Sequence, residues 1–331
     1  MKAISFPEKG KVAHVALDDP RAGDGEVVVD IKASGVCHTD IEVLQGNYGT
    51  SAFPLVPGHE YAGVVTEIGA GVSGIGIGDR VVVDPNIECG ACRACRRGWA
   101  HLCEDLGAYG VTINGGFAER SVVRASSVHP IGDLEFHVAA LAEPIGCVLN
   151  GLGAVCGETD ESALIFGAGP MGLLIAVTLR TRGIPEIALV EIDEARLELA
   201  EGFGFAAVDA NASSLADMHR SFDLVVDATG AAAVAGKIVE FIANGGKGLF
   251  FGVCPADEKI GIAPFEMFRR QITLSGSHSL NHNIPEALGV ARALGSDIGR
   301  LVSHRMPLQE VAYCLSNGMP AGSLKVQAAG D

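Results

Sequence analysis

A chain of 331 residues, 48% hydrophobic and 19% charged, is long enough for two domains with a sizeable core. Its formal charge of -16 argues against nucleic acid or an anionic membrane as a partner, and acidity alone implies only a well-solvated surface. The opening MKAISFPEKGKVAHVALDDP has charges and a proline where an export signal needs an apolar centre, so a cytoplasmic protein is expected.

Residues 1–85 read as short strands punctuated by glycine and proline, clearest at 26–31, 61–68 and 80–83. Two clusters between them carry chemistry: Cys37-His38-Thr39-Asp40 and Pro57-Gly58-His59-Glu60. Thiolate and imidazole are both good zinc ligands, and a catalytic zinc draws three protein ligands from separate segments while keeping one position open. Either residue alone also suits a buried structural role.

Nine cysteines in a chain with no export signal point to metal or catalytic thiols before disulfides. Cys89, Cys92, Cys95 and Cys103 form a C-x2-C-x2-C-x7-C array within 88–104. Four thiolates so close can surround one tetrahedral zinc with no vacancy, which makes such a site structural. The complex would carry surplus negative charge, and Arg93, Arg96 and Arg97 lie beside it to offset it. An iron–sulfur cluster takes the same four ligands. Cys147, Cys156, Cys254 and Cys314 are scattered and read as free thiols.

A further strand pattern spans 115–123, and a helix opens near Ala139. Within it Glu143 is an acid in an otherwise apolar run, where burying an unpaired carboxylate would be costly. A metal would remove that cost, and a place at the helix end or the surface would avoid it.

From 146 to about 280 strands and helices alternate, the pattern of a parallel sheet covered by helices on both faces. The segment opens with an apolar strand at 163–166, a turn through Gly167, Gly169, Pro170, Met171 and Gly172, and an apolar helix to about 180. The glycines supply a tight turn, close approach of backbone N–H groups to a pyrophosphate, and close packing of helix on strand. The helix N-terminus presents its positive dipole end to the phosphates. A second apolar run, 187–190, ends in Glu191, nineteen residues after Gly172. An acid there accepts the adenosine ribose hydroxyls and repels a 2′-phosphate, which argues for NAD over NADP. Asp193 adds to that charge, and Arg196 follows as a further cofactor candidate. More strands fall at 205–208, 222–226, 248–251 and 272–275, and the turns after two of them place Thr229, Gly252 and Val253 at the cofactor's border. The glycine-turn region reads as the longest apolar stretch, and its glycines and proline interrupt it, so no membrane span is expected.

In this order GVCHTD, PGHEYAGVV, the four-cysteine lobe, GAGPMG and VEID resemble the zinc-containing medium-chain dehydrogenases over essentially the whole chain, most closely the sorbitol and polyol dehydrogenase branch. The resemblance implies an α/β fold in which a GroES-like β-barrel catalytic domain, 1–145, is interrupted by a doubly wound Rossmann domain, 146–280, and resumes at 281–331. It implies a catalytic zinc on Cys37 and His59, with Glu143 as third ligand directly or through water and Glu60 able to approach the metal. It also implies a structural zinc on Cys89, Cys92, Cys95 and Cys103, so two zinc ions per chain are expected beside NAD. Relatives that oxidise simple alcohols have cysteine where this chain has Glu143, whereas polyol, butanediol and threonine dehydrogenases resemble it in having an acid. The reaction implied is reversible oxidation of a polyol's secondary hydroxyl to a ketone, with 2,3-butanediol, L-threonine and simple alcohols as alternative substrates. Thr39 matches the hydroxyl that starts a proton relay, and Glu42 stands where many relatives have histidine, so the proton is expected to leave through Thr39 and then water or Glu42. Specificity is expected from loops around Tyr48, Phe117 and His278. By resemblance alone, a homodimer or homotetramer joins through the edge strand near 272–277. Two other classes stay in view: a zinc-free reductase of the same superfamily, which the set Cys37, His59, Glu60 and Glu143 argues against, and a non-catalytic NAD-binding protein, which would need no complete metal site.

Overall fold

The computed structural model describes residues 1–48 and 52–330. The chain divides into two compact units, Met1–Gly146 with the return segment from Leu280 onward, and Cys147–Ser279.

The first unit is built on a mostly antiparallel sheet centred on strand Glu26–Gly35. Glu60–Ile68 pairs along one edge of it, and Arg120–Arg124 and Lys325–Ala329 share the other. Arg80–Val83 and Val128–Pro130 extend the sheet, and Val302–Met306 runs parallel to Lys325–Ala329. The period of two along the central strand points Val27, Val29 and Ile31 into a core with Tyr61, Val65, Val81 and Val123. Register then fixes one end of the sheet. Gly35 lies opposite both Glu60 and Gln327, so the residues just past Gly35, the start of Glu60–Ile68 and the start of Lys325–Ala329 are neighbours. Asn86–Ile87 pairs with Gly107–Ala108 and closes the cysteine lobe as a loop between them.

The second unit is a six-stranded parallel sheet in the order Ala206–Asp209, Glu186–Glu191, Ser162–Phe166, Phe222–Asp227, Ile242–Phe250, Thr273–Gly276. The strand order reverses between Ser162–Phe166 and Phe222–Asp227, which is where an open α/β sheet binds its ligand. All five residues of Ser162–Phe166 are buried, as a strand covered on both faces must be. Helix Pro170–Thr181 starts one residue before the apolar pattern suggests, because the fixed φ and missing N–H of Pro170 suit a first helical position.

Among the described residues the one helical stretch long and apolar enough to cross a membrane is Phe136–Val155, outside the glycine-turn region. By length and composition it could cross a bilayer, yet 78% of its apolar window is buried inside the protein, where those side chains serve the core. None of the nine cysteines is in a disulfide.

Candidate active site

The register that sets Gly35 opposite Glu60 brings the two sequence clusters together. Cys37 Sγ, a ring nitrogen of His59 and a carboxylate oxygen of Glu60 lie within 4.8 Å of one another. Asp40, fully buried near the start of helix His38–Leu44, organises them. Its carboxylate accepts the N–H of Cys37 at 2.8 Å and of Gly58 at 3.2 Å, and stands 3.5 Å from His59 Nδ1. Burial alone would drive the proton off His59, but Asp40 and Cys37 more than offset this and hold its pKa well above the usual value. The anionic groups that raise it would also attract a cation, and sulfur, nitrogen and oxygen donors together suit zinc. Glu60 Oε2 is buried without a hydrogen-bond partner, which a cation would correct. With Nδ1 turned toward Asp40, Nε2 is the nitrogen left for a metal.

Glu143 is buried as well and its charge acts on Lys325, but its carboxylate stands outside the tight group. The acid that completes the group is Glu60, because it follows His59 directly at the head of its strand. Thr39 Oγ1 lies 3.7 Å from Cys37 Sγ. Glu42 is engaged elsewhere: its carboxylate faces His38, one helical turn back, at 3.2 Å and accepts from Asn47 Nδ2 at 2.9 Å. Phe117 is fully buried in the core with Ile4, Phe6 and Leu55.

Pattern reading misses Lys325. Its ammonium is bonded to Glu60 Oε1, and the two residues are 4% and 1% exposed. Burial pulls the Lys325 pKa down, but Glu60, Cys37 and Glu143 more than compensate and hold it above the ordinary lysine value. Glu60, Glu143 and the Cys37 thiol face a single ammonium, that of Lys325, and Asp40 is met by two backbone N–H groups, a donor-rich setting that suits a cation.

In the lobe the four sulfurs Cys89, Cys92, Cys95 and Cys103 also lie within 4.8 Å of one another. Sγ of Cys95 is 3.4 Å from that of Cys92 and 4.0 Å from that of Cys89. A tetrahedron with Zn–S of about 2.3 Å has edges of about 3.8 Å, between those two values. The Cys95 N–H aimed at Cys92 helps draw that thiol down to about 6, while burial pushes Cys95 up to about 12. A metal displaces the protons that remain.

In the second unit the turn after Ser162–Phe166 has the form a pyrophosphate needs. Gly167 is left-handed at φ +100, and a Cβ on Gly172 would lie 1.8 Å from Gly167 O, so only glycine lets the helix pack that close. A Cβ on Gly169 would meet only Arg196 Nη1, at 3.8 Å, which leaves open space before the helix N-terminus at Pro170 and Met171. Glu191 ends its strand buried, and its carboxylate accepts from Ala168 N at 2.9 Å, Ile192 N at 2.8 Å and Asp193 N at 3.3 Å. Arg196 Nη1 is 3.7 Å away. Thr229 is held by Asp227, which accepts from its N–H at 2.8 Å and its hydroxyl at 2.6 Å. Gly252 packs against the Gly230 turn, and Val253 beside it is exposed.

Asp193, a cofactor candidate by its charge, caps helix Glu194–Gly202 by accepting the N–H of Arg196 at 3.1 Å. Asp193→Ala is therefore expected to cost about 1 kcal/mol in denaturant unfolding without moving the cofactor preference.

Residues 23–133 match the family model of the alcohol dehydrogenase GroES-like domain, and 137–321 that of the glucose dehydrogenase C-terminus. D-altritol 5-dehydrogenase of Agrobacterium fabrum is 48% identical, with 100% of both chains covered. D-arabinitol dehydrogenase 1 of Uromyces fabae is 30% identical over 98% of this chain and 96% of its own. A structure described as a zinc-binding dehydrogenase of Sinorhizobium meliloti, bound to NADP, superposes with a TM-score of 0.93 at 31% identity, covering 99% of this chain and 98% of that one. The two family models, the paired GroES-like and doubly wound folds and the cation site at Cys37 and His59 lead to one conclusion: the chain belongs to the zinc-dependent medium-chain dehydrogenases, in the branch that includes the polyol dehydrogenases, and is an oxidoreductase using a nicotinamide cofactor.

Proposed function

We propose that this enzyme is an NAD-dependent, two-zinc polyol dehydrogenase that oxidises a secondary hydroxyl of a sugar alcohol to a ketone. The observation that carries the reading is the Cys37–His59–Glu60 group with Lys325 and Glu143 acting on it, a cation site with oxygen as well as sulfur and nitrogen donors. Oxygen donors make the metal a harder acid, suited to substrates that offer vicinal oxygens. The relatives named for D-altritol and D-arabinitol support that substrate class.

Zinc held by Cys37 and His59, with Glu60 or Glu143 completing the set, supplies Lewis acidity that lowers the pKa of the substrate hydroxyl. Asp40 faces His59 Nδ1 and favours the ring orientation that leaves Nε2 for a metal, and Lys325 holds Glu60. Thr39 Oγ1, beside Cys37 Sγ, would take the hydroxyl proton and pass it to water, or to Glu42 once that carboxylate leaves its contacts with His38 and Asn47. Gly167, Gly169 and Gly172 would hold the pyrophosphate and Glu191 the adenosine ribose of the dinucleotide, whose nicotinamide would supply the hydride acceptor. Cys89, Cys92, Cys95 and Cys103 hold the second zinc for structure.

A homodimer or homotetramer is part of this proposal. Thr273–Gly276 ends the parallel sheet, and Phe265 and Phe268 on helix Pro264–Arg270 are 67% and 81% exposed, which supports a partner at that edge. A cytoplasmic location, where cysteine ligands stay reduced, is part of the proposal.

The test is NAD reduction with D-altritol, D-arabinitol, sorbitol, xylitol, 2,3-butanediol, L-threonine and ethanol, with zinc measured on the same sample. Turnover of a sugar alcohol by protein with two zincs per chain is expected. Preference for ethanol, or absence of zinc from protein prepared without chelators, overturns the reading.

A further inference from the structure

The chain re-enters the first unit at Leu280, and the residues that follow are pinned to the cysteine lobe. Leu280, fully buried, gives its carbonyl to Asn86 Nδ2 at 2.9 Å, at the foot of the lobe. Asn281 uses both ends of its amide on the lobe's backbone: Nδ2 donates to Gly98 O at 2.9 Å, and Oδ1 accepts from Ala100 N at 3.2 Å. His282 stands between two acids, with Asp84 3.9 Å from Nδ1 and Glu88 3.4 Å from Nε2. Its backbone is left-handed at φ +57, a conformation that a residue with a Cβ keeps only where its surroundings hold it.

The contacts of Asn281, and that of His282 to Glu88, fall on or beside a loop whose shape the cysteines set, while Asp84 and Asn86 precede it. Gly98 and Ala100 lie between Cys95 and Cys103, and Glu88 immediately precedes Cys89. One amide that must reach a carbonyl and an N–H two residues apart tolerates little movement, because hydrogen bonds weaken steeply with distance and angle. A metal clips the loop at four points. Without it the lobe keeps the backbone hydrogen bonds of its short turns, such as Gly98 N to Cys95 O at 3.0 Å, but its sulfurs keep only weak N–H···S and S···S contacts, such as Cys89 N to Cys103 Sγ at 3.3 Å and Cys95 N to Cys92 Sγ at 3.5 Å. The return segment therefore has a held state and a reason to leave it: the left-handed turn at His282 relaxes once its anchors move.

We propose that Asn281 and His282 form a clasp that responds to the metal state of the cysteine lobe, so that loss of the lobe metal frees 280–283, the segment through which the chain returns from the second unit. The dependence is reciprocal: a clasp that closes on the loaded lobe must in turn retain the metal. The proposal rests on reading the four cysteines as a zinc site.

Full-length wild type and Asn281→Ala are compared in two measurements. The first is the rate at which zinc passes to the chelator 4-(2-pyridylazo)resorcinol. The second is hydrogen exchange by peptide mass spectrometry on loaded and chelator-stripped protein. Asn281→Ala should bind two zincs and release one of them about tenfold faster, with faster exchange in 96–103, while the release of the other zinc is unchanged. In stripped wild type, peptides covering 280–286 should exchange faster while 162–166 and 222–227 keep their protection. Unchanged zinc release in Asn281→Ala, or equal exchange of 280–286 in loaded and stripped wild type, overturns the clasp. Wild type that holds no second zinc overturns the zinc reading of the lobe itself, and the metal count registers that separately.

Discussion

Replacing Lys325 by methionine is expected to lower the stability of the folded protein by about 3–5 kcal/mol at neutral pH, the cost of removing one partner of a buried ion pair and leaving the other. The pair has no access to water that could replace the missing partner, since Glu60 is 1% exposed and Lys325 4%. In the variant, Glu60 would be a buried negative charge beside Cys37 and Glu143 with no cation to answer it, unless metal is present. The pH window of the pair is set by the lysine. Its pKa is raised in the folded state, so its contribution is complete below the unfolded lysine value of about 10.4 and is lost only as the pH rises through the folded value. The pair is therefore intact at neutral pH. Unfolding followed with and without added zinc separates two outcomes for the freed acid. If Glu60 turns to the metal, zinc recovers most of the lost stability and turnover stays low. If it does not, zinc recovers little. Lys325→Arg should keep the pair, and Glu60→Gln combined with Lys325→Met should recover stability because neither charge remains. Lys325→Met as stable as wild type at neutral pH would sink the idea that the pair matters.

What can be read from the chain, and what cannot, follows from sequence distance. The four cysteines, the glycine turn and Glu191 are legible because each acts within a short span: the thiols close one loop, and the glycines and the acid belong to one strand–helix–strand unit. Cys37 and His59 are legible as ligand types, but only the pairing of Gly35 with Glu60 brings them together. Lys325 is opaque for the same reason. In the run Leu324-Lys325-Val326-Gln327 a lysine looks like the exposed half of an alternating strand, and only the register of that strand against Glu26–Gly35 turns it inward to an acid 265 residues away. Asp40 does leave a signal, an acid at the third helical position behind Cys37, where it reaches back to the Cys37 N–H. Resemblance favours Glu143 as third ligand, whereas the chain's own register places Glu60 nearest the pair. Asp193 shows a related limit: its charge suggests cofactor recognition, and its hydrogen bond shows a helix cap.

The second large effect is expected in the choice of cofactor. Wild type should prefer NAD to NADP by two to three powers of ten in kcat/KM, because a carboxylate about 4 Å from a 2′-phosphate costs several kcal/mol at an effective dielectric of about 20. The fold itself does not impose that choice, since the Sinorhizobium meliloti structure of the same fold is bound to NADP. The decision falls to Glu191, whose carboxylate is buried and occupied by the N–H groups of Ala168, Ile192 and Asp193. A carboxylate has about four acceptor sites, so ribose hydroxyls can still be received there. Removing it changes the sign of the site. In Glu191→Ser the three N–H groups lose their acceptor, and half-exposed Arg196, 3.7 Å from the carboxylate in wild type, loses its partner. Free donors and a free guanidinium are what a phosphate seeks, so this variant should use NADP to within about tenfold of NAD. Glu191→Gln separates the two contributions. It keeps an acceptor for the backbone and ribose but removes the charge, so it should regain NADP by relief of repulsion while NAD binding falls only modestly. Steady-state kinetics with both cofactors and one polyol decide the matter. Wild type that uses NADP as well as NAD, or a Glu191→Gln ratio equal to that of wild type, would mean that specificity is set elsewhere, and the hydrogen bonds of Glu191 would then serve only to brace the glycine turn through Ala168.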